Sequence, residues 1–440
     1  MAARNSRDKM KTDVVVIGAG VIGGAVALEL AKAGRSVVIV DKGSAAGAGS
    51  TSASSAIIRF SYSTHDAVLM AWESASIWEN WAEYLGAIDP DGMAKFIRTG
   101  YLVYRTAGYD GESVRVIWDD LKIPYEVLSA DQLREMFPAL DANSYWPPKR
   151  IDDPAFGDDA VGELSGLYDP LSGFMDDPML AAHNLINAAK VLGAQTRFKE
   201  EVVSIDKHGS QVTGVTLASG ERIEAAIVVN AAGPHASKIN KIAGVLDEMN
   251  IRHRPLRQEV YVAPAPSGFK LEDNVPVVAD LDTGIYFRPH LGGTINLGGT
   301  EPACDDLHWI DDADDWREET TVEIWETMML RLARRMPDFG VPVSPSGIGA
   351  LYDATDDWVP IYDRSSLDGF YMACGTSGNQ FKNAPMAATF IRLLIEAAEA
   401  GRNHDDDPIS YIGPRSGRAI NIGAFSRLRE VQNTSGTVMG

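Results

Sequence analysis

The sequence predicts a mixed α/β (α+β) fold, a βαβ nucleotide-binding domain interleaved with a second domain built on an antiparallel sheet. Three observations predict it. Near the N-terminus a glycine-rich turn joins a β-branched run to an apolar helical stretch and a second β-branched run that ends in an acid. Further on, residues 201–233 and 255–300 break into short strand-like runs separated by Gly and polar turn residues. Finally, 440 residues are too many for one ordinary compact domain. On this reading residues 12–88, 155–245 and 346–412 form the nucleotide domain, 89–154 and 246–345 the second domain, and 413–440 a tail.

The first element is VVVI at 14–17, a continuous apolar run suited to a strand buried on both faces of a parallel sheet. Gly18, Gly20 and Gly23 follow as GxGxxG, the Rossmann-like fingerprint. AVALELAKA reads as a helix, with Gly34 placed to end it in the left-handed conformation. Residues 37–40 form the second strand, ending at Asp41 and Lys42. Each glycine has a physical task. Gly18 permits the tight turn, Gly20 lets the backbone approach a pyrophosphate, and Gly23 lets helix and strand pack closely. Val21 and Ile22 open a helix whose free N–H groups face the phosphates. Asp41 is placed to accept hydrogen bonds from a ribose diol, which disfavours a 2′-phosphate and hence NADP. FAD and NAD both satisfy this pattern.

The stretch after Lys42 favours FAD. GSAAGAGSTSASSAIIRFSYS is a small-residue loop in which Gly49, Ser50, Thr51, Ser54 and Ser55 can lie flat against a bulky planar ligand. A plain NAD domain moves straight to its next helix. The loop ends in Ile57, Ile58 and Arg59, an apolar pair and a buried-looking arginine. Residues 65–86 read as a helix with Trp72, Trp78 and Trp81 in the core, and 96–104 as a strand. The polar, proline-bearing 105–155 segment has no clear pattern. A helix is predicted at 178–192, closed by Gly193. Three short strands follow, the first including Val202 and Val203 and the last, 226–229, running through Asn230 into Ala231, Ala232 and Gly233. That small-residue turn suggests a second close approach to the nucleotide. GIYFRPH and TINLGG alternate as antiparallel strands within 255–300, and FYMAC at 370–374 is a buried strand before a helix at 385–399. The tail from Gly413 carries Arg415, Arg418, Arg427 and Arg429 without periodicity. It reads as a wrapping or subunit-contact segment, which leaves a homo-oligomer open.

Charge narrows the partners. Forty basic against 61 acidic residues give −21, which repels nucleic acid and anionic membrane. An anionic substrate therefore needs a local basic site. Cys304 and Cys374 have no second Cys or His at metal-ligand spacing, which sets aside a zinc site and a CxxC centre. The apolar run at 14–28 is shorter than the roughly 18 residues of a spanning helix. The polar N-terminus lacks a leader pattern, so the expectation is a cytoplasmic chain with no membrane insertion.

The N-terminal fingerprint, AIIRFSYS at 56–63, VVNAAGPHAS at 228–237 and CGTSGNQFKNAP at 374–385 together resemble the D-amino-acid oxidase superfamily of FAD-dependent oxidoreductases, in its sarcosine oxidase and dimethylglycine dehydrogenase branch. The resemblance implies FAD and oxidation of a small amine or amino acid bearing a carboxylate, with O2 or another acceptor taking the electrons. It also implies flavin contacts from Gly375, Gly378, Asn379, Gln380, Phe381 and Lys382. Arg59 and Lys382 match the family's carboxylate anchors, and a guanidinium holds a carboxylate through two parallel hydrogen bonds. Tyr286, Phe287 and Tyr352 match positions that line the amine pocket. Two departures stand out. Ala350 replaces the cysteine of covalent-flavin relatives, and the loop after the second strand offers Ser and Thr in place of an attaching histidine, so non-covalent FAD is expected. Asn296 replaces the lysine that promotes reaction with O2, so a dehydrogenase is expected, and Thr300 replaces a pocket histidine. Oxidation of a 2-hydroxy acid, or a non-catalytic FAD-binding subunit, remain the alternatives.

Overall fold

In the computed structural model, which describes residues 10–440, the predicted βαβ unit is at the centre of a six-stranded sheet. Its order is Gln195–Phe198, Val37–Asp41, Val14–Ile17, Ile227–Asn230, Phe370–Cys374 and Ile361–Arg364. The first five strands run parallel and the last antiparallel. The four inner strands are near-continuous apolar runs because both of their faces are covered. Val14, Val16, Val37 and Ile39 pack among the helices Val21–Lys32, Pro178–Val191 and Ala384–Glu399. Val15, Ile17, Val38 and Val40 face a four-stranded sheet that includes Val202–His208 and Gln211–Leu217.

The second sheet has nine strands and is mostly antiparallel. Its backbone is His253–Pro264, Thr294–Gly299, Ile285–His290, Val277–Asp280 and Tyr101–Arg105, with the last two parallel. Ser165–Asp169 and Gly347–Thr355 belong to this sheet and not to the nucleotide domain. The boundaries expected at 155 and 346 therefore move. Both strands follow polar or Gly/Pro-rich stretches, and strand pairing is decided by partners far away in sequence.

Other differences have local causes. The helix expected over 65–86 is two, His65–Glu79 and Trp81–Leu85, broken at Asn80. The strand expected over 96–104 is split by Gly100 at φ +77°. The strand expected at 226–229 is Ile227–Asn230 in the central sheet, and a separate strand, Arg222–Glu224, joins the four-stranded sheet. The unpatterned 105–155 region holds two short helices, Glu112–Leu121 and Ala130–Met136, the second opened by a Ser129–Gln132 capping box. Among the described residues no helix is long and apolar enough to cross a membrane. The polar stretch at 1–9 lies outside the described residues.

The tail folds back over the molecule. Arg427 bonds Asp363 and Asp405, and Arg429 makes two bonds to Asp357. Beyond this clasp the chain turns inward, and Val438 and Met439 are buried.

Candidate functional site

A cavity of about 450 Å3 opens at the carboxyl ends of the parallel strands, bounded by Ile17, Asp41, Ala231 and Ala373, and runs beneath the large sheet. Ligands of open α/β sheets bind at this edge.

At its nucleotide end the glycines do steric work. Gly18 sits at φ +108°, and a Cβ there would lie 2.2 Å from the Ala231 carbonyl oxygen. A Cβ on Gly23 would lie 2.0 Å from the Gly18 carbonyl oxygen. Gly23 and Gly375 shape the cavity without lining it, unlike the direct cofactor contacts expected of them: Gly23 serves helix–strand packing, and a Cβ on Gly375 would meet the Thr355 methyl group at 2.4 Å. No side chain of Gly20 can cap the helix Val21–Lys32, and the Val21 N–H donates to Thr51 Oγ1 at 3.1 Å. Asp41 clamps the turn, accepting Ala19 N–H and Gly43 N–H at 2.6 Å each. Lys42 pairs with Asp314 from the second domain. Ile22, Gly49, Ser50, Ser54, Val202, Ala232 and Gly233 also line this half. Val203 does not, because it is one residue further along its strand and faces solvent.

At the other end lies the loop 375–383. Asp353 holds it, its Oδ2 accepting Gly375 N–H at 2.6 Å and its carbonyl accepting Ser377 N–H at 2.8 Å. Gly378 takes φ +69°, and a Cβ there would lie 2.4 Å from the Tyr352 ring. Asn379, Gln380, Phe381 and Lys382 then pass along the cavity into the helix Ala384–Glu399.

The structure brings Arg59 and Lys382 together against Tyr62. The guanidinium lies 4.8 Å and the ammonium 5.2 Å from its ring centre. Arg59 is 5% exposed and Lys382 4%. Neither forms an ion pair with an acid among the described residues. Lys382 Nζ donates to Tyr62 Oη at 3.0 Å and to the Asn379 carbonyl at 2.7 Å. Burial, with the Arg59 charge added, pushes the Lys382 pKa well below its usual value. Arg59 bonds the Ser61 carbonyl and, through Nη2, the carbonyls of Val438 and Met439 at 2.9 and 3.0 Å.

Tyr286 and Tyr352 line the cavity but Phe287 does not. Successive residues of Ile285–His290 face opposite sides, and Phe287 packs on Phe269 in the core behind. Asn296 is also withdrawn: its Oδ1 accepts from Ser55 Oγ at 2.6 Å, and Ser55 Oγ lies 2.9 Å from Tyr286 Oη. Ala350 lines the wall where covalent-flavin relatives have cysteine. Residues not anticipated include Arg288, whose Nε donates to the Ser55 carbonyl at 2.8 Å and whose guanidinium lies 4.0 Å from the Phe174 ring centre. Arg288 stands behind the wall, whereas Thr376, Tyr101, Gln258 and the tail residues Val438 and Met439 line the cavity. Only Thr376 carried a usable signal, as part of the GTSG turn.

The glycine turn, the turn clamped by Asp41 and the loop under Tyr352 border one continuous cavity. The family model for FAD dependent oxidoreductases matches residues 13–392. The chain belongs to this family. It is a FAD-binding oxidoreductase, and Gly18, Gly20, Val21 and Asp41 line its cavity at the carboxyl ends of the parallel strands. The oxidoreductase is 25% identical to sarcosine oxidase subunit beta of Arthrobacter sp over 405 residues, 90% of each chain. It is 24% identical to FAD-dependent oxidoreductase domain-containing protein 1 of Xenopus laevis, over 88% of this chain and 79% of that one. Mouse dimethylglycine dehydrogenase is 26% identical over 290 residues, and the match spans only 30% of that longer protein. Among solved structures, L-proline dehydrogenase from P. horikoshii superposes with a TM-score of 0.73 at 22% identity, covering 95% of this chain and 97% of that one. Glycine oxidase from Geobacillus kaustophilus gives 0.72 at 21% identity, covering 96% and 100%. These likenesses establish the fold.

Proposed function

We propose that the oxidoreductase oxidises a small amine that bears a carboxylate, with Arg59 and Lys382 holding the carboxylate. The observation that carries this reading is the pair of buried cations around Tyr62, neither neutralised by an acid, in a chain of net charge −21. Burying two basic groups without an anion is costly, and an arriving carboxylate offsets that cost. FAD, when bound, would supply a two-electron acceptor. The protein's own contribution is positional. Arg59 fixes the acid group, Tyr286 and Tyr352 form an aromatic wall for the nitrogen, and the helix that opens after Asn383 presents its free N–H groups at the loop end of the cavity. An amine delivered neutral then needs no histidine acid or base. Anaerobic bleaching by amino acids, N-alkyl amino acids, their methyl esters and 2-hydroxy acids tests the reading. Bleaching at far lower concentrations of the free acids than of their esters is expected, and bleaching by 2-hydroxy acids alone would replace amine oxidation with alcohol oxidation.

Two further outcomes arise from this site. Because Ala350 offers no thiol to the flavin, the flavin is expected to leave with the supernatant on acid precipitation. Yellow colour retained in the pellet would contradict non-covalent binding. Asn296 is neutral and engaged with Ser55, so no ammonium at that position stabilises charge developing on O2. Air reoxidation in stopped flow is expected to be slow compared with turnover by an artificial acceptor such as a quinone. Peroxide formed at the turnover rate would show a true oxidase.

A further inference from the structure

Glu301 is a partly buried acid whose carboxylate has no cationic partner among the described residues. It follows the strand Thr294–Gly299 and takes φ +50°, an unfavourable backbone for a residue with a Cβ. Its Oε1 is sealed from solvent and has no hydrogen-bond partner. Its Oε2 accepts one bond, from the Val438 N–H at 2.8 Å. The carbonyl of that same residue accepts from Arg59 Nη2 at 2.9 Å. Arg59 and Glu301 thus grip a single N–Cα–C=O unit from its two ends. That atom sequence is the one an α-amino acid presents, with its nitrogen and its carboxylate on one carbon. The same Arg59 Nη2 also donates to the Met439 carbonyl at 3.0 Å, the next carbonyl along the segment. Tyr62, which touches both Arg59 and Lys382, lies close to Gly440 at the end of the same segment.

We propose that Glu301 receives the substrate nitrogen opposite a carboxylate on Arg59, and that residues 438–440 occupy this α-amino-acid site as a displaceable internal competitor. The inference rests on the amine-oxidation reading above and narrows it to nitrogen and carboxylate on the same carbon. Burial pushes the Glu301 carboxyl up to about 8, as fits an acid waiting for a donor. The segment can leave without unfolding the tail. Its anchors are upstream, in the Arg427 and Arg429 pairs and the Thr434 hydroxyl on the Asp357 carbonyl. Val438–Gly440 itself contacts the site through a few hydrogen bonds, including Gly440 carbonyl to Ser63.

Four proteins test this: the full chain, a chain lacking 434–440, that deletion carrying Glu301→Leu, and the full chain with Val438→Pro. The proline removes the N–H held by Glu301 and keeps the segment, so it serves if the deletion does not fold. FAD content and melting temperature are the folding controls. Deletion and Val438→Pro are each expected to lower the KM for α-amino acids by about tenfold or more, the worth of a few such hydrogen bonds, with kcat little changed. In the deletion background Glu301→Leu is expected to raise that KM by about tenfold or more. It should leave binding of propionate, a carboxylate without nitrogen, unaltered in a flavin-absorbance titration. In the full chain, saturating α-amino acid or propionate should speed protease cleavage within 430–440. If amines bleach the flavin but Val438→Pro and the deletion leave KM unchanged, or Glu301→Leu weakens propionate as much as the amino acid, the inference fails and the amine reading stands. If no amine bleaches the flavin in any of the four proteins, both fall together.

Discussion

Gly18→Ala is expected to yield a protein that purifies without FAD. A Cβ at this position would sit 2.2 Å from the Ala231 carbonyl oxygen and 2.8 Å from its carbon, both main-chain atoms of a buried turn. Neither can swing aside as a flexible side chain could. The residue also holds φ +108°, outside the region an L-residue adopts without strain. The strand Val14–Ile17 and the Ala231 turn must therefore separate, and the turn clamped by Asp41 loses the geometry that exposes N–H groups to the phosphates. An affinity loss of about a hundredfold or more follows from roughly 3 kcal/mol of such strain. Gly34→Ala is the control. It too has positive φ, +80°, but nothing lies within 4 Å of its Cβ, so it costs about 1 kcal/mol of stability and keeps its flavin. The ratio of flavin to protein absorbance reads both. A Gly18→Ala protein that retains stoichiometric FAD would show that the close approach is not needed for binding.

The same contrast explains what was legible in the sequence. The βαβ unit could be read because its constraints are local: Gly18, Gly20, Gly23 and Asp41 are fixed by one turn and its two neighbours. Arg59 and Lys382 could be paired only through the family resemblance, since 323 positions separate them and Tyr62 alone joins them in space. Tyr286 and Phe287 were not separable in advance. Every residue of Ile285–His290 but the last is buried, so polarity gives no clue to which face meets the cavity and which meets Phe269. Val203 shows the same ambiguity on a strand whose faces differ. The tail was opaque for another reason. Arg427 and Arg429 find acids at 357, 363 and 405, and no period within 413–440 encodes that. Glu301 could not be distinguished from a surface acid, because its burial depends on Val438 arriving from the far end of the chain.

Arg59→Ala is expected to lower kcat/KM for carboxylate-bearing amines by about two orders of magnitude or more. Two charge-assisted hydrogen bonds to a carboxylate are worth roughly 3 kcal/mol together, and tenfold corresponds to about 1.4 kcal/mol. The loss should lie mainly in KM, since the carboxylate keeps its charge throughout the oxidation and Arg59 holds ground and transition states alike. Methyl esters of the same amines provide the internal comparison. They cannot form the bidentate pair, so the variant and the parent should turn them over at rates within a few fold. The native contacts of Arg59 complicate a simple alanine swap, because Ser61, Val438 and Met439 each lose a donor. Arg59→Lys separates the two effects. A lysine keeps the positive charge and can satisfy one carbonyl, but it cannot present two parallel N–H groups. If the fork geometry is what binds the acid, lysine recovers only a minor part of the loss. Should it restore full affinity, charge alone is the determinant and Lys382 carries the carboxylate; should alanine leave kcat/KM for the free acids unchanged, Arg59 serves the tail and not the substrate.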